Sequence, residues 1–182
     1  RSSQQPPGEA CSSSLTFLLL SEVLSVLKAT ECSRVKNMKD IKNIFRGLEK
    51  LLKEAKWFDE DWEVYNRGPY LQLYKTTWFN HNQGGVHFET SIETPQLKEK
   101  AIPIAMHAEE DCPSQSEFME RFLRLESERI KSWKNYQIDG SGFTVLHRKL
   151  PLNYKNLEQR IYTELSVLRQ LEDGIESTLS EL

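Results

Sequence analysis

The chain has 182 residues, 38% of them hydrophobic and 10% aromatic, which is enough apolar material for a packed core and excludes global disorder. Its 24 basic and 27 acidic residues leave a formal charge of -3, so no overall field draws it to nucleic acid or to an anionic membrane. Cys11, Cys32 and Cys112 are odd in number and form no CxxC pair, and the sequence has no Asn-x-Ser/Thr acceptor. That usage argues against a disulfide framework or a thiolate zinc site and for a reducing compartment, cytoplasmic or nuclear.

Residues 1–14 are rich in Ser, Gln, Pro and Gly and read as a disordered lead. Leu15 to Lys28 reads as an amphipathic helix that Ser14 can cap, followed by a connector to Arg34. Ser21, Glu22 and Ser25 interrupt its apolar run, which is too short to span a bilayer. An α+β domain is expected over 35–182. It begins with a helix from Val35 to Lys56, whose stripe is Val35, Met38, Ile41, Ile44, Phe45, Leu48, Leu51, Leu52 and Ala55. Gly47 interrupts that helix, which suggests close packing against a neighbour.

Trp62, Val64 and Tyr65 suggest a short strand, and Tyr70 to Trp78 a strong one, dense in Tyr, Leu, Thr and Trp. Asn80 to Gly85 has the chemistry of a hairpin loop. Two alternating strands follow. Val86, Phe88, Thr90 and Ile92 oppose His87, Glu89, Ser91 and Glu93, while Ile102, Ile104, Met106 and Ala108 oppose Pro103, Ala105, His107 and Glu109. Ser114 and Glu117 have capping-box spacing at the start of a helix that runs to about Trp133. Tyr136–Ile138 and Phe143–Leu150 flank Asp139-Gly-Ser-Gly142, which reads either as the turn of a further hairpin or as a turn that leads into one strand. A last helix, from about Tyr154 to Leu182, carries Leu157, Ile161, Leu165, Leu168, Leu171, Ile175, Leu179 and Leu182, with Leu168, Ile175 and Leu182 seven apart.

This order implies two layers: an antiparallel sheet of four to five strands, helices packed on one face, and a long C-terminal helix. The other sheet face is then solvated or covered by a partner.

Chemistry is best sought on that second face. If Glu93 opposes Ala101, His87 lies directly across from His107, with Glu89 two residues along. Two imidazoles and a carboxylate can hold a divalent metal with open positions, or act together as an acid–base set without one. Cys112 follows Glu109, Glu110 and Asp111, whose charges raise a thiol pKa and so disfavour a nucleophile there. Tyr70, Tyr74 and Trp78 share one face by spacing, with Lys75 beside them, a pattern that can stack bases. The end of the last helix, through Leu168, Leu171, Ile175, Leu179 and Leu182, offers a surface for a second copy or another protein.

Three functions compete on these grounds. The leading one is an intracellular protein-interaction or scaffold module with no cofactor and no catalysis of its own, which meets a protein partner or its own copy through its helices. The alternative is a metal-assisted hydrolase or nuclease-like enzyme that uses His87, Glu89 and His107 with a divalent ion. The third is a single-stranded nucleic-acid binder that uses Tyr70, Tyr74, Trp78 and Lys75. None of the three requires a membrane.

Overall fold

The computed structural model describes residues 38–79, 85–153 and 155–182. The expected lead (1–14) and the helix and connector (15–34) lie outside these residues.

Helix α1 (Met38–Lys53) follows from its spacing. Ile41, Ile44, Phe45, Leu48 and Leu52 recur at intervals of three and four, and all five are buried. Each such side chain contributes about 2 kcal/mol on removal from water. Lys50 and Lys53 in the last turn complement the helix dipole. Gly47 is not forced by close packing, since an added Cβ would meet Glu158 Cγ at an ordinary 3.6 Å.

Among the described residues six strands form one antiparallel sheet, one more than the upper expectation: β1 (Trp62–Asn66), β2 (Tyr70–Lys75), β3 (Val86–Ser91), β4 (Ala101–Ala108), β5 (Gln137–Ser141) and β6 (Thr144–Pro151). Their spatial order is β1-β2-β3-β4-β6-β5. The extra strand arises because Asp139, Gly140 and Ser141, expected in a turn, continue β5; the chain reverses at Gly142-Phe143, with Gly142 at φ 63°, while Gly140, also at φ 63°, sits in the register shift between Ile138 and Ser141. The segment expected to separate β3 from β4 is a short helix, α2 (Thr94–Glu99). Gln96 Oε1 accepts from the Glu93 backbone N–H at 3.1 Å, and Lys100 leaves the helix at φ 54°.

Helix α3 (Gln115–Ser132) starts where expected, but without the Ser114 capping box. Ser114 lies at φ 48° and its side chain makes no cap bond, so the first turn is held by backbone instead, Phe118 N–H donating to Ser114 O. The C-terminal helix is long but broken once. It runs as α4 (Leu157–Leu168), a 3-10 turn (Arg169–Leu171) and α5 (Glu172–Ser180).

The helices lie on the sheet face that carries Leu71, Leu73, Val86, Phe88, Ile102, Ile104, Met106 and Leu146, all fully buried. Helix α4 crosses β3 and β4 and packs on α1, while α3 packs on β5 and α5. Two polar ties pin this layer. Lys75 Nζ, only 9% exposed, lies 2.7 Å from both Glu172 and Glu176. Glu164 receives Arg148 at 2.6 Å and Arg160 at 3.0 Å, and accepts the Tyr136 hydroxyl at 3.1 Å. Each tie leaves a buried charge compensated, without which its burial would be costly. Among the described residues no helix is long and apolar enough to cross a membrane.

Candidate metal centre

The second sheet face is built by alternation. Once Val86, Phe88 and Thr90 turn toward the helices, His87, Glu89 and Ser91 must point the other way. The β3–β4 register sets Val86 against Ala108, His87 against His107 and Glu89 against Ala105. The β2–β3 register sets Gln72 against Glu89, and so brings Tyr70, Gln72 and Tyr74 to the same face. On the far side Ala105 pairs with His147.

The centre of this face is not solvated, contrary to the expectation for a polar face. His87 is fully buried, Gln72 is 1% exposed and His107 is 8% exposed. Rings account for part of the cover. The imidazoles of His87 and His107 stack at 5.4 Å between centroids, and Phe143, from the β5–β6 turn, stacks on His107 at 5.0 Å. Phe143 itself is 48% exposed and marks the outer rim of the site.

One ligand atom from each of His87, Glu89 and His107 lies within 4.8 Å of the other two. His87 Nε2 sits 3.3 Å from Glu89 Oε2 and 2.9 Å from the Gln72 amide nitrogen. The Tyr70 hydroxyl donates to Glu89 Oε2 at 2.9 Å. Glu109 Oε1 lies 3.9 Å from His107 Nδ1. The Nδ1 atoms of both histidines are buried and find no hydrogen-bond partner among the described residues.

The electrostatics follow from this packing. Burial drives the His107 imidazole down to about 4, with His87 and His147 adding to the effect and Glu89 opposing it, so the ring is neutral at pH 7 and keeps a lone pair. Burial pushes the Glu89 carboxyl up, but hydrogen bonding to His87 and the neighbouring imidazoles outweigh it and hold the group below its ordinary value. Glu109 is raised by burial first, with Glu89, Glu110 and Asp111 adding to it and His87 opposing. The Tyr70 phenol is raised by burial and by Glu89, and remains a hydroxyl donor.

No protein-family model, curated protein or solved structure matches this chain. Any functional assignment therefore has to come from the side chains themselves.

The other candidate residues are placed less favourably. Tyr70 and Tyr74 do share the second face, but Trp78 and Lys75 do not join them. Strand β2 ends at Lys75, and a turn in which Trp78 N–H donates to Lys75 O carries Trp78 into the core. There it packs edge-on to Trp62 at 5.2 Å and to Phe88 at 5.4 Å. Lys75 projects to the helix side and is spent on Glu172 and Glu176. In the leucine stripe, Leu168, Leu171 and Ile175 are fully buried in the chain's own core and Leu179 is partly buried against it, which leaves Leu182 exposed. Cys112 is a free, buried thiol that burial pushes up to about 11, so it is not an activated nucleophile.

Sequence reasoning passed over Gln72. The signal was present: the alternation that pairs Tyr70 with Tyr74 also puts Gln72 between them, facing the histidines. Phe143 was less accessible, because its position depends on the register of the β5–β6 turn against β4, where Ala108 N–H donates to Phe143 O.

Proposed function

We propose that this protein is a metal-binding module that holds a divalent transition-metal ion of the zinc class between His87, Glu89 and His107. The observation that carries the reading is the convergence of two imidazoles and one carboxylate, with donor atoms within 4.8 Å, on a buried stretch of sheet. A tetrahedral ion with bonds of about 2.0–2.1 Å needs donors about 3.4 Å apart, so side-chain rotations that draw the widest pair in by about 1.4 Å would suffice. Imidazole nitrogen with one carboxylate oxygen suits zinc, copper, iron or nickel better than magnesium or calcium. The Tyr70 hydroxyl on Glu89 is the kind of outer hydrogen bond that orients a ligating carboxylate.

The interaction-module reading is compatible with this one; of its C-terminal stripe Leu168, Leu171 and Ile175 are core, and the N-terminal helix it also drew on lies outside the described residues. A cytoplasmic or nuclear setting rests on cysteine usage and on the lack of an Asn-x-Ser/Thr acceptor in the sequence.

Calorimetric titration of the full chain with zinc tests the proposal. One saturable site is expected, lost in His87→Ala and in His107→Ala and weakened in Glu89→Gln. A parent protein that takes up no zinc overturns it.

A further inference from the structure

We infer that Gln72 supplies a fourth donor to the ion held by His87, Glu89 and His107, closing the coordination shell so that the ion is structural and has no position for water or substrate. The inference rests on the metal reading and assigns that site its role.

The argument starts from one nitrogen. His87 Nε2 has two close polar neighbours, the Gln72 amide nitrogen at 2.9 Å and Glu89 Oε2 at 3.3 Å. They make opposite demands. An amide N–H asks Nε2 for a lone pair, whereas a carboxylate asks it for a proton, and a neutral imidazole nitrogen offers one or the other. The conflict disappears if the amide is turned end for end, an assignment that the positions of carbon, nitrogen and oxygen leave open. The amide oxygen then stands beside Nε2, and without metal a single Nε2–H serves both acceptors. When a cation displaces that proton, an imidazole lone pair, a carboxylate and a carbonyl oxygen all face it.

Position favours the same conclusion. Gln72 is directly opposite Glu89 in the β2–β3 register and one diagonal step from His87, so its side chain reaches the cluster without distortion. The four donors come from three adjacent strands, β2, β3 and β4, and the sheet fixes their spacing. Gln72 and His87 are buried as deeply as any core residue. Glu89 keeps a 19% exposed side chain, so it is the number of donors that decides: four protein donors fill a tetrahedral shell as in structural ions, whereas catalytic ions keep three protein donors and an open position.

Cobalt(II) is the probe, because its visible spectrum reports coordination number and exchangeable ligands. The full chain loaded with cobalt is expected to give the intense bands of a four-coordinate ion, and added thiocyanate should leave them unchanged. Gln72→Leu, which keeps the bulk and removes the donor, should admit water, bind cobalt at least tenfold more weakly and show a thiocyanate-dependent spectral shift. Gln72→Glu should bind at least tenfold more tightly and stay insensitive to thiocyanate. This second variant and the parent measurement decide the matter if Gln72→Leu fails to fold. A parent spectrum that shifts with thiocyanate overturns the inference and leaves an open, hydrolase-type ion in its place. So does a Gln72→Leu protein indistinguishable from the parent. Failure of the parent to bind cobalt at all is a different result, since it removes the metal reading itself and Gln72's role with it.

Discussion

The imidazole planes of His87 and His107 lie 2° from parallel, across two neighbouring strands with ring centroids 5.4 Å apart. Such a pair is useful when both rings are neutral and costly when either is charged, because burial and mutual repulsion then act together. A cation bound at their in-plane nitrogen lone pairs reverses that cost. An ion that binds only the folded chain adds stability by mass action, about 2.7 kcal/mol at a free concentration one hundred times its dissociation constant. For a domain of this size that corresponds to a rise in Tm of about 5–10 °C. Zinc should produce this rise in the parent, and His107→Ala should abolish it. An unchanged melting curve in the parent, read by circular dichroism across a zinc series, would count against the site.

Without metal, the same pair makes the fold sensitive to acid. His107 titrates at about 4 in the folded protein, against 6.5 when unfolded. The unfolded chain therefore binds more protons than the folded one between those values. Stability is fully present above about 6.5 and falls as pH drops through 4, by about 3 kcal/mol at most. Glu89, held low in the fold, contributes in the same direction. Urea denaturation at pH 7 and at pH 4.5 should show the loss, and His107→Phe should reduce it. An equal slope in parent and variant would assign the acid sensitivity elsewhere.

Legibility in the sequence tracked the range of the interaction involved. The His87–His107 pairing was legible in part: a strict period of two decides which residues share a face, but the register rested on setting Glu93 opposite Ala101, with helix α2 and no tight turn between the strands to fix it. The apolar face of β3 and β4 was legible from that period alone. Trp78 was misplaced because alternation was carried past the end of β2, and a strand's end depends on the turn that competes with it. Lys75 was misplaced too, since its fate is decided by Glu172 and Glu176, about a hundred residues away. The leucine stripe shows the limit most plainly. A heptad-like row looks the same whether it serves its own sheet or another chain, and only the sheet's position decides.

The thiol of Cys112 should be inert in the folded protein. It is buried, burial pushes its pKa up to about 11, and no charge among the described residues offsets that rise. Maleimide or iodoacetamide at pH 8 should leave Cys112 unmodified under native conditions and modify it within minutes in urea, as followed by peptide mass spectrometry. Rapid native modification at Cys112 would show that the segment between β4 and α3 opens readily.

Gly174 in α5 lies close against Glu126 of α3. A Cβ added there would overlap Glu126 Oε1 and stand 2.8 Å from its Cγ, on a side chain that is itself buried and paired with Arg129 at 3.2 Å. Two opposing effects set the outcome of Gly174→Ala. Alanine is about 1 kcal/mol better than glycine inside a helix. Forcing a buried, paired carboxylate aside costs more, about 1–3 kcal/mol for overpacking together with part of its ion pair. Gly174→Ala should therefore destabilise the parent. In a Glu126→Ala background the obstruction is gone and only the helix gain remains, so the same substitution should stabilise by up to about 1 kcal/mol. The double-mutant cycle, measured by urea denaturation, should give a coupling of at least about 1 kcal/mol. A coupling near zero would mean that α3 and α5 sit farther apart in solution than this contact requires.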